Sequence, residues 1–221
     1  DTLVVTDKDG DQITLSKKDG NKYTFVMPKS KVTVKATFVE DDGSSSLPFY
    51  DVPKSAYYYS AVNWAVEQGI TSGTSNTAFS PNASCTRAQI VTFLWCANGS
   101  PAPTSNSNPF VDVSADSYYY DAVLWAVEKG ITSGTSDTTF SPNASCTRAQ
   151  AATFLWRAAG SPAASENNPF TDVASGAYYT NAVLWAAQNG VTSGTSATTF
   201  APNVVCTRAQ IVTFLYRALA E

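Results

Sequence analysis

The sequence predicts a mainly α protein: three helix-loop-helix repeats packed together behind a small N-terminal β meander. Three observations carry that prediction. One unit recurs at offsets of 61 and then 60 residues, each copy contains a helix-capping signature, and residues 1–40 alternate polar with apolar positions instead.

The repeat begins at Pro48-Phe49-Tyr50-Asp51-Val52, Pro109-Phe110-Val111-Asp112-Val113 and Pro169-Phe170-Thr171-Asp172-Val173. The register then holds through Trp64, Trp125 and Trp185, through Gly73, Gly134 and Gly194, and through Arg87, Arg148 and Arg208. The organisation expected is a partial β domain over 1–40, a linker over 41–47, and repeats over 48–105, 106–165 and 166–221. Because the chain starts inside a strand-like pattern, it is expected to be a piece of a longer protein.

Within the first copy, Tyr58, Val62, Ala65 and Val66 follow a helical period. Gly69 stands where a left-handed C-terminal cap is wanted, with Ile70 placed for its apolar contact. Thr71-Ser72-Gly73-Thr74-Ser75 reads as a turn, and Pro81-Asn82 breaks the chain before the second helix. That helix starts at Thr86-Arg87-Ala88-Gln89, a capping box in which the threonine and glutamine side chains satisfy backbone donors reciprocally. The signature returns at Thr147 to Gln150 and at Thr207 to Gln210. Helices this short do not bury their apolar faces alone, so the units are expected to share one core.

In the N-terminal part, residues 12–15, 22–26 and 32–39 alternate, with Asp-Gly turns at 9–10 and 19–20. The run Asp7-Lys8-Asp9-Gly10-Asp11 reads as a hairpin turn: its glycine comes too early for a calcium loop, and Lys18 takes the place of the bidentate acid. Glu40 to Ser46 has the composition of a flexible linker.

Composition narrows the function. Fourteen basic against 18 acidic residues give a net charge of −4, which argues against a broad nucleic-acid surface. No apolar run is long enough to insert into a membrane. Histidine is absent, removing the commonest general base and metal ligand, and no pair of acids recurs in all three copies. No catalytic residue, metal site or cofactor is expected. Residues 1–47 hold seven Lys and no Arg, whereas 48–221 hold two Lys and five Arg. The cationic side chains of the repeats are thus mostly those suited to bidentate recognition of carboxylates.

The pattern Phe-x-Asp-Val, Ala-Val-x-Trp-Ala, Gly-Ile-Thr-Ser-Gly, Phe-x-Pro and Thr-Arg-Ala-Gln, at a period near 60 over 48–221, resembles S-layer homology domains. The resemblance implies a pseudo-threefold spindle around a central helical bundle, with grooves between units. It implies binding of an anionic, often pyruvylated, secondary cell-wall polysaccharide, anchoring of a surface protein, and an extracellular location at the cell wall. The family's Thr-Arg-Ala-Glu motif is changed here, since Gln89, Gln150 and Gln210 replace the glutamate; the box survives but a charge is lost. Residues 1–40 resemble the end of a bacterial surface repeat of β type.

Arg87, Arg148 and Arg208 stand at the first position of a capped helix, where the macrodipole disfavours a cation by several tenths of a kcal/mol. One reading is an anion pocket made of guanidinium and free helix N–H groups; the other is an ion pair with Asp51, Asp112 or Asp172. Trp64, Trp125 and Trp185 either stack on sugar rings or pack between helices. At least one residue in each tyrosine run, 57–59, 118–120 and 178–179, must face solvent. Gly73, Gly134 and Gly194 either let backbone approach ligand or simply supply positive φ. Cys85, Cys146 and Cys206 precede the caps and read as small buried apolar residues, with disulfides disfavoured unless these positions crowd the axis. The expected state is a monomer with no nucleic-acid partner. The alternative function is a protein-binding or structural assembly module of the cell surface that binds no glycan.

Overall fold

The computed structural model describes residues 2–17, 23–37 and 47–220, which fall into two compact units, 1–46 and 47–221. In the first, β1 (Thr2–Thr6) pairs antiparallel with β4 (Thr33–Thr37), and β2 (Ser16–Lys17) pairs with β3 (Tyr23–Thr24). The first strand therefore partners the last, which corrects the meander expectation: no local turn encodes that pairing. Residues 12–15 supply only a bridge from Gln12 to Thr6. The Asp9-Gly10 turn is present, with Gly10 at φ 91° and the Asp7 carboxylate accepting from the N–H groups of Asp9 and Asp11. The 19–20 turn and residues 41–46 of the linker lie outside the described residues.

The second unit holds six helices: α1 (Tyr59–Glu67), α2 (Arg87–Ala97), α3 (Tyr120–Glu128), α4 (Arg148–Ala158), α5 (Thr180–Gln188) and α6 (Arg208–Leu219). Each first helix ends as the sequence dictates. Gly69 has φ 67°, its N–H donates to Val66 O, and Ile70 N–H donates to Ala65 O, a Schellman cap that buries Ile70. Each second helix carries the full capping box, with Thr86, Thr147 and Thr207 in extended backbone at the N-cap.

Packing follows a cyclic order. The second helix of one unit packs against the first helix of the next: α2 on α3, α4 on α5 and α6 on α1, while α4 touches both α2 and α6 at the centre. Phe79, Phe140 and Phe200 are wholly buried in the shared core, beside Ile90, Leu94, Ile211 and Leu215. Burying each such side chain contributes about 2 kcal/mol, and the shared core draws them from all three units.

The ring closes at the axis through backbone. Cys85 N–H donates to Cys206 O at 2.9 Å, Cys146 N–H to Cys85 O at 2.8 Å, and Cys206 N–H to Cys146 O at 2.9 Å. The three equivalent positions therefore do crowd the axis, yet all four cysteines remain free thiols. Burial pushes the Cys85 and Cys206 thiols up to about 12, and the Cys146 thiol higher still, so each stays protonated and inert.

Candidate functional site: three inter-unit grooves

The capping boxes place Arg87, Arg148 and Arg208 at the starts of α2, α4 and α6, where each side chain crosses into the following unit. Arg87 Nε donates to Phe140 O at 2.9 Å, Arg148 Nε to Phe200 O at 2.7 Å, and Arg208 Nε back to Phe79 O at 2.9 Å. Each guanidinium lies between two phenyl rings. Arg87 sits 4.8 Å from the Phe140 centroid and 5.3 Å from Phe154, and the other two copies repeat this with Phe200 and Phe214 and with Phe79 and Phe93.

These cations are only 3–4% exposed, yet none forms a contact ion pair among the described residues; Asp112, Asp172 and Asp51 act on Arg87, Arg148 and Arg208 only from a distance. Burial lowers the pKa of all three arginines from the ordinary value. Nη2 of Arg87 and of Arg208 is buried without a hydrogen-bond partner, whereas Arg148 Nη2 reaches Thr192 Oγ1 at 3.4 Å. A buried charged donor left unsatisfied costs about 1–3 kcal/mol or more.

The ion-pair expectation is corrected by Asp51, Asp112 and Asp172. Asp51 accepts from the N–H groups of Phe79 at 2.8 Å and Ser80 at 2.7 Å, and Asp112 and Asp172 clamp residues 140–141 and 200–201 in the same way. The clamp holds Ser80, Ser141 and Ala201 at φ 58°, backbone that side chains rarely adopt. It thereby fixes the Phe carbonyls that receive the arginines. The free-N–H half of the anion-pocket reading is also corrected: Arg87 N–H donates to Ala144 O and Ala88 N–H to Pro142 O, with the same pairs at α4 and α6. The third N–H is taken by the threonine of the box. Carbonyls of the next unit consume the helix-end donors, so any positive charge offered to a ligand comes from guanidinium.

Each arginine lies at the edge of a groove built by all three units. Groove 1, about 860 Å³, draws Arg208 from the third unit, Gly73, Gln89 and Cys96 from the first and Tyr118 from the second. Groove 2, about 390 Å³, draws Arg87 from the first, Gly134, Gln150 and Arg157 from the second and Tyr178 from the third. Groove 3, about 300 Å³, draws Arg148 from the second, Gly194, Gln210 and Arg217 from the third and Tyr57 from the first.

The sequence profile of the S-layer homology domain matches residues 48–91, 109–152 and 169–212, more than half of the chain. The chain belongs to this family. It is 32% identical to the Surface-layer 125 kDa protein of Lysinibacillus sphaericus over 75% of its own length and 14% of that protein. It is 38% identical to an endoglucanase of Bacillus sp. (strain KSM-635), over 52% of itself and 12% of the enzyme. An S-layer protein of Bacillus thuringiensis subsp. finitimus is 31% identical over 49% of the chain and 13% of that protein. The chain thus spans about a seventh of the length of these relatives. It is a cell-wall anchoring module of the extracellular surface, and none of its described helices is long and apolar enough to cross a membrane.

In this S-layer homology chain the tryptophans stand away from the arginine grooves. Trp125 and Trp185 are buried in the core, and Trp64 packs edge-on against Tyr216 at 5.6 Å beside a separate pocket. Gly73, Gly134 and Gly194 have φ of 90°, 90° and 82°, and a Cβ on Gly134 would stand 2.5 Å from both Phe110 Cε1 and Thr139 O. They shape the groove walls by permitting a turn that no other residue fits. Gln89, Gln150 and Gln210 line the grooves while their Oε1 atoms accept the N-cap N–H.

The outward tyrosines line the grooves, although no single residue could be picked from sequence. Tyr57, Tyr118 and Tyr178 are 62–67% exposed, each stacked edge-on against the next tyrosine at 5.0 Å and each lining a groove. The tyrosine runs 57–59, 118–120 and 178–179 were the available signal, and the ring that turns out is the one just before each helix N-cap.

Proposed function

We propose that this module holds its parent protein on the cell wall, as a monomer, by binding an anionic secondary cell-wall polysaccharide, pyruvylated in character, in the grooves between units. The observation that carries this reading is the set of buried guanidinium groups without a contact ion pair among the described residues, two of them with an unsatisfied Nη2, each at a groove. Arg is the side chain whose geometry suits a carboxylate, and a charge-assisted bond is about twice as strong as a neutral one. Arg87, Arg148 and Arg208 would meet the acid, Gln89, Gln150 and Gln210 the neighbouring hydroxyls, and Tyr57, Tyr118 and Tyr178 the sugar faces. Asp51, Asp112 and Asp172 and the glycine turns would hold the walls in place, and Trp64, Trp125 and Trp185 the helices behind them.

The test is sedimentation with purified sacculi before and after chemical removal of the non-peptidoglycan polymer. Retention should vanish on stripped sacculi and fall at least tenfold in an Arg87→Met, Arg148→Met, Arg208→Met variant that keeps its native circular dichroism. Undiminished retention of that variant would overturn the role given to the arginines. Relatives named for surface layers and for an endoglucanase fit a portable anchor attached to different cargoes.

A further inference from the structure

The three grooves are built from equivalent positions, and among the residues that line all three the change in cationic charge falls at one of them. Where grooves 2 and 3 carry Arg157 and Arg217, groove 1 carries Cys96, the one cysteine of the four that is not buried. Arg157 Nη1 donates to Ile131 O at 3.2 Å and Arg217 Nη1 to Val191 O at 3.5 Å, which ties each second guanidinium to the wall of its groove. Grooves 2 and 3 therefore present two cations in about 390 and 300 Å³, whereas groove 1 presents one in about 860 Å³. The extra room reaches Pro48, Phe49 and Val66, so it is bounded by apolar surface. The groove nevertheless keeps a partnerless Arg208 Nη2 on a side chain only 3% exposed.

We propose that residues 96, 157 and 217 set ligand class groove by groove: groove 1 takes a monoanionic sugar acid bearing an uncharged, methyl-containing substituent, and grooves 2 and 3 take a compact, doubly charged group. The proposal rests on the anionic-glycan reading above and narrows it: the singly charged acid of a pyruvylated sugar belongs to groove 1, and grooves 2 and 3 hold other anionic groups of the same polymer. One guanidinium matches one carboxylate, and a second charge in groove 1 would be desolvated without a partner, at a cost of several-fold or more in affinity. The methyl-bearing substituent would lie along Phe49 and Val66, where the other grooves offer a guanidinium or no space.

Cys96 is its own reporter. N-acetylmuramic acid serves as the monoanionic probe and N-acetylglucosamine 6-phosphate as the dianionic one, and alkylation of Cys96 by iodoacetamide is followed by peptide mass spectrometry. N-acetylmuramic acid should slow alkylation about threefold or more at saturation, and N-acetylglucosamine 6-phosphate should leave it nearly unchanged. Calorimetric titration with the phosphate should give about two equivalents per chain, rising to about three in Cys96→Arg, which restores the arginine of the other copies. Equal protection by both probes, no protection by either, or a stoichiometry that Cys96→Arg leaves unchanged would each overturn the proposal. Sacculus retention of the unaltered chain is read in parallel. If it persists under any of those results, the groove assignment alone fails; if retention is indifferent to stripping the polymer, the glycan reading itself fails.

Discussion

Replacing Arg87 by Met should barely alter stability while removing one of the two cations of groove 2, because the energies at this site oppose one another. The substitution deletes the Nε–H bond to Phe140 O at 2.9 Å, a charge-assisted contact of about 2 kcal/mol. It also deletes cation–π contacts at 4.8 and 5.3 Å, together about 2 kcal/mol. Against these stand relief from burying a cation without a contact ion pair, several kcal/mol in similar sites, and from leaving Nη2 unsatisfied, about 1–3 kcal/mol. Methionine fills the same space between Phe140 and Phe154 with a flexible thioether that suits aromatic rings. The net change should lie within about 2 kcal/mol of zero, or under about 8 °C in Tm for a domain of this size. Differential scanning calorimetry reads that directly, and retention on sacculi reads the lost cation. A loss above about 4 kcal/mol with unchanged retention would show that Arg87 is a structural strut between units and would refute the reasoning from opposed terms.

Three further outcomes follow from the same geometry. Gly134→Ala forces a Cβ against Phe110 and Thr139 O at φ 90°, so it should cost about 3 kcal/mol or more in thermal denaturation, whereas Gly130→Ala, with open space around its Cβ, should lose only about 1–2 kcal/mol. A thiol titration at pH 8 should find one reactive cysteine in the folded chain, Cys96, and four after denaturation, because burial holds the Cys85 and Cys206 thiols near 12 and Cys146 above that. At Asp172, burial pushes the carboxyl up but the N–H groups of Phe200 and Ala201 outweigh it, leaving the pKa below the ordinary value. A depressed carboxylate stabilises the fold above its unfolded pKa and loses that contribution as pH falls through the folded value, so stability measured by circular dichroism should drop below about pH 4, and Asp172→Asn should flatten that part of the profile.

What could be read from sequence was what is encoded locally. The Thr86–Gln89 box and the Gly69 cap rest on contacts three to five residues long, and both stand as read. The periodicity gave the helices and their shared core for the same reason. Contacts that span units were out of reach. Arg87 Nε finds a carbonyl 53 residues on, and Arg208 Nε one 129 residues back, so neither the loss of free helix N–H groups nor the Asp51 loop clamp follows from any motif. The N-terminal pairing of β1 with β4 escaped similarly, since alternation marks strands without naming partners. The family resemblance implied grooves between units, but their make-up stayed hidden because each is assembled from three different copies, and only the cyclic packing order brings Tyr178 to Arg87.

That cyclic order also fixes the copy number. Cys206 is joined to Cys85 by the same kind of bond that joins consecutive copies, and α6 lies on α1 as α2 lies on α3. A fourth copy spliced into the chain would find every seam already taken, and a deletion down to two would dismantle all three grooves at once rather than one. Growth or shrinkage of this array by single units is therefore closed off, unlike that of an open solenoid; inheritance should preserve the trio as an indivisible cassette, with novelty confined to substitutions such as the one at position 96.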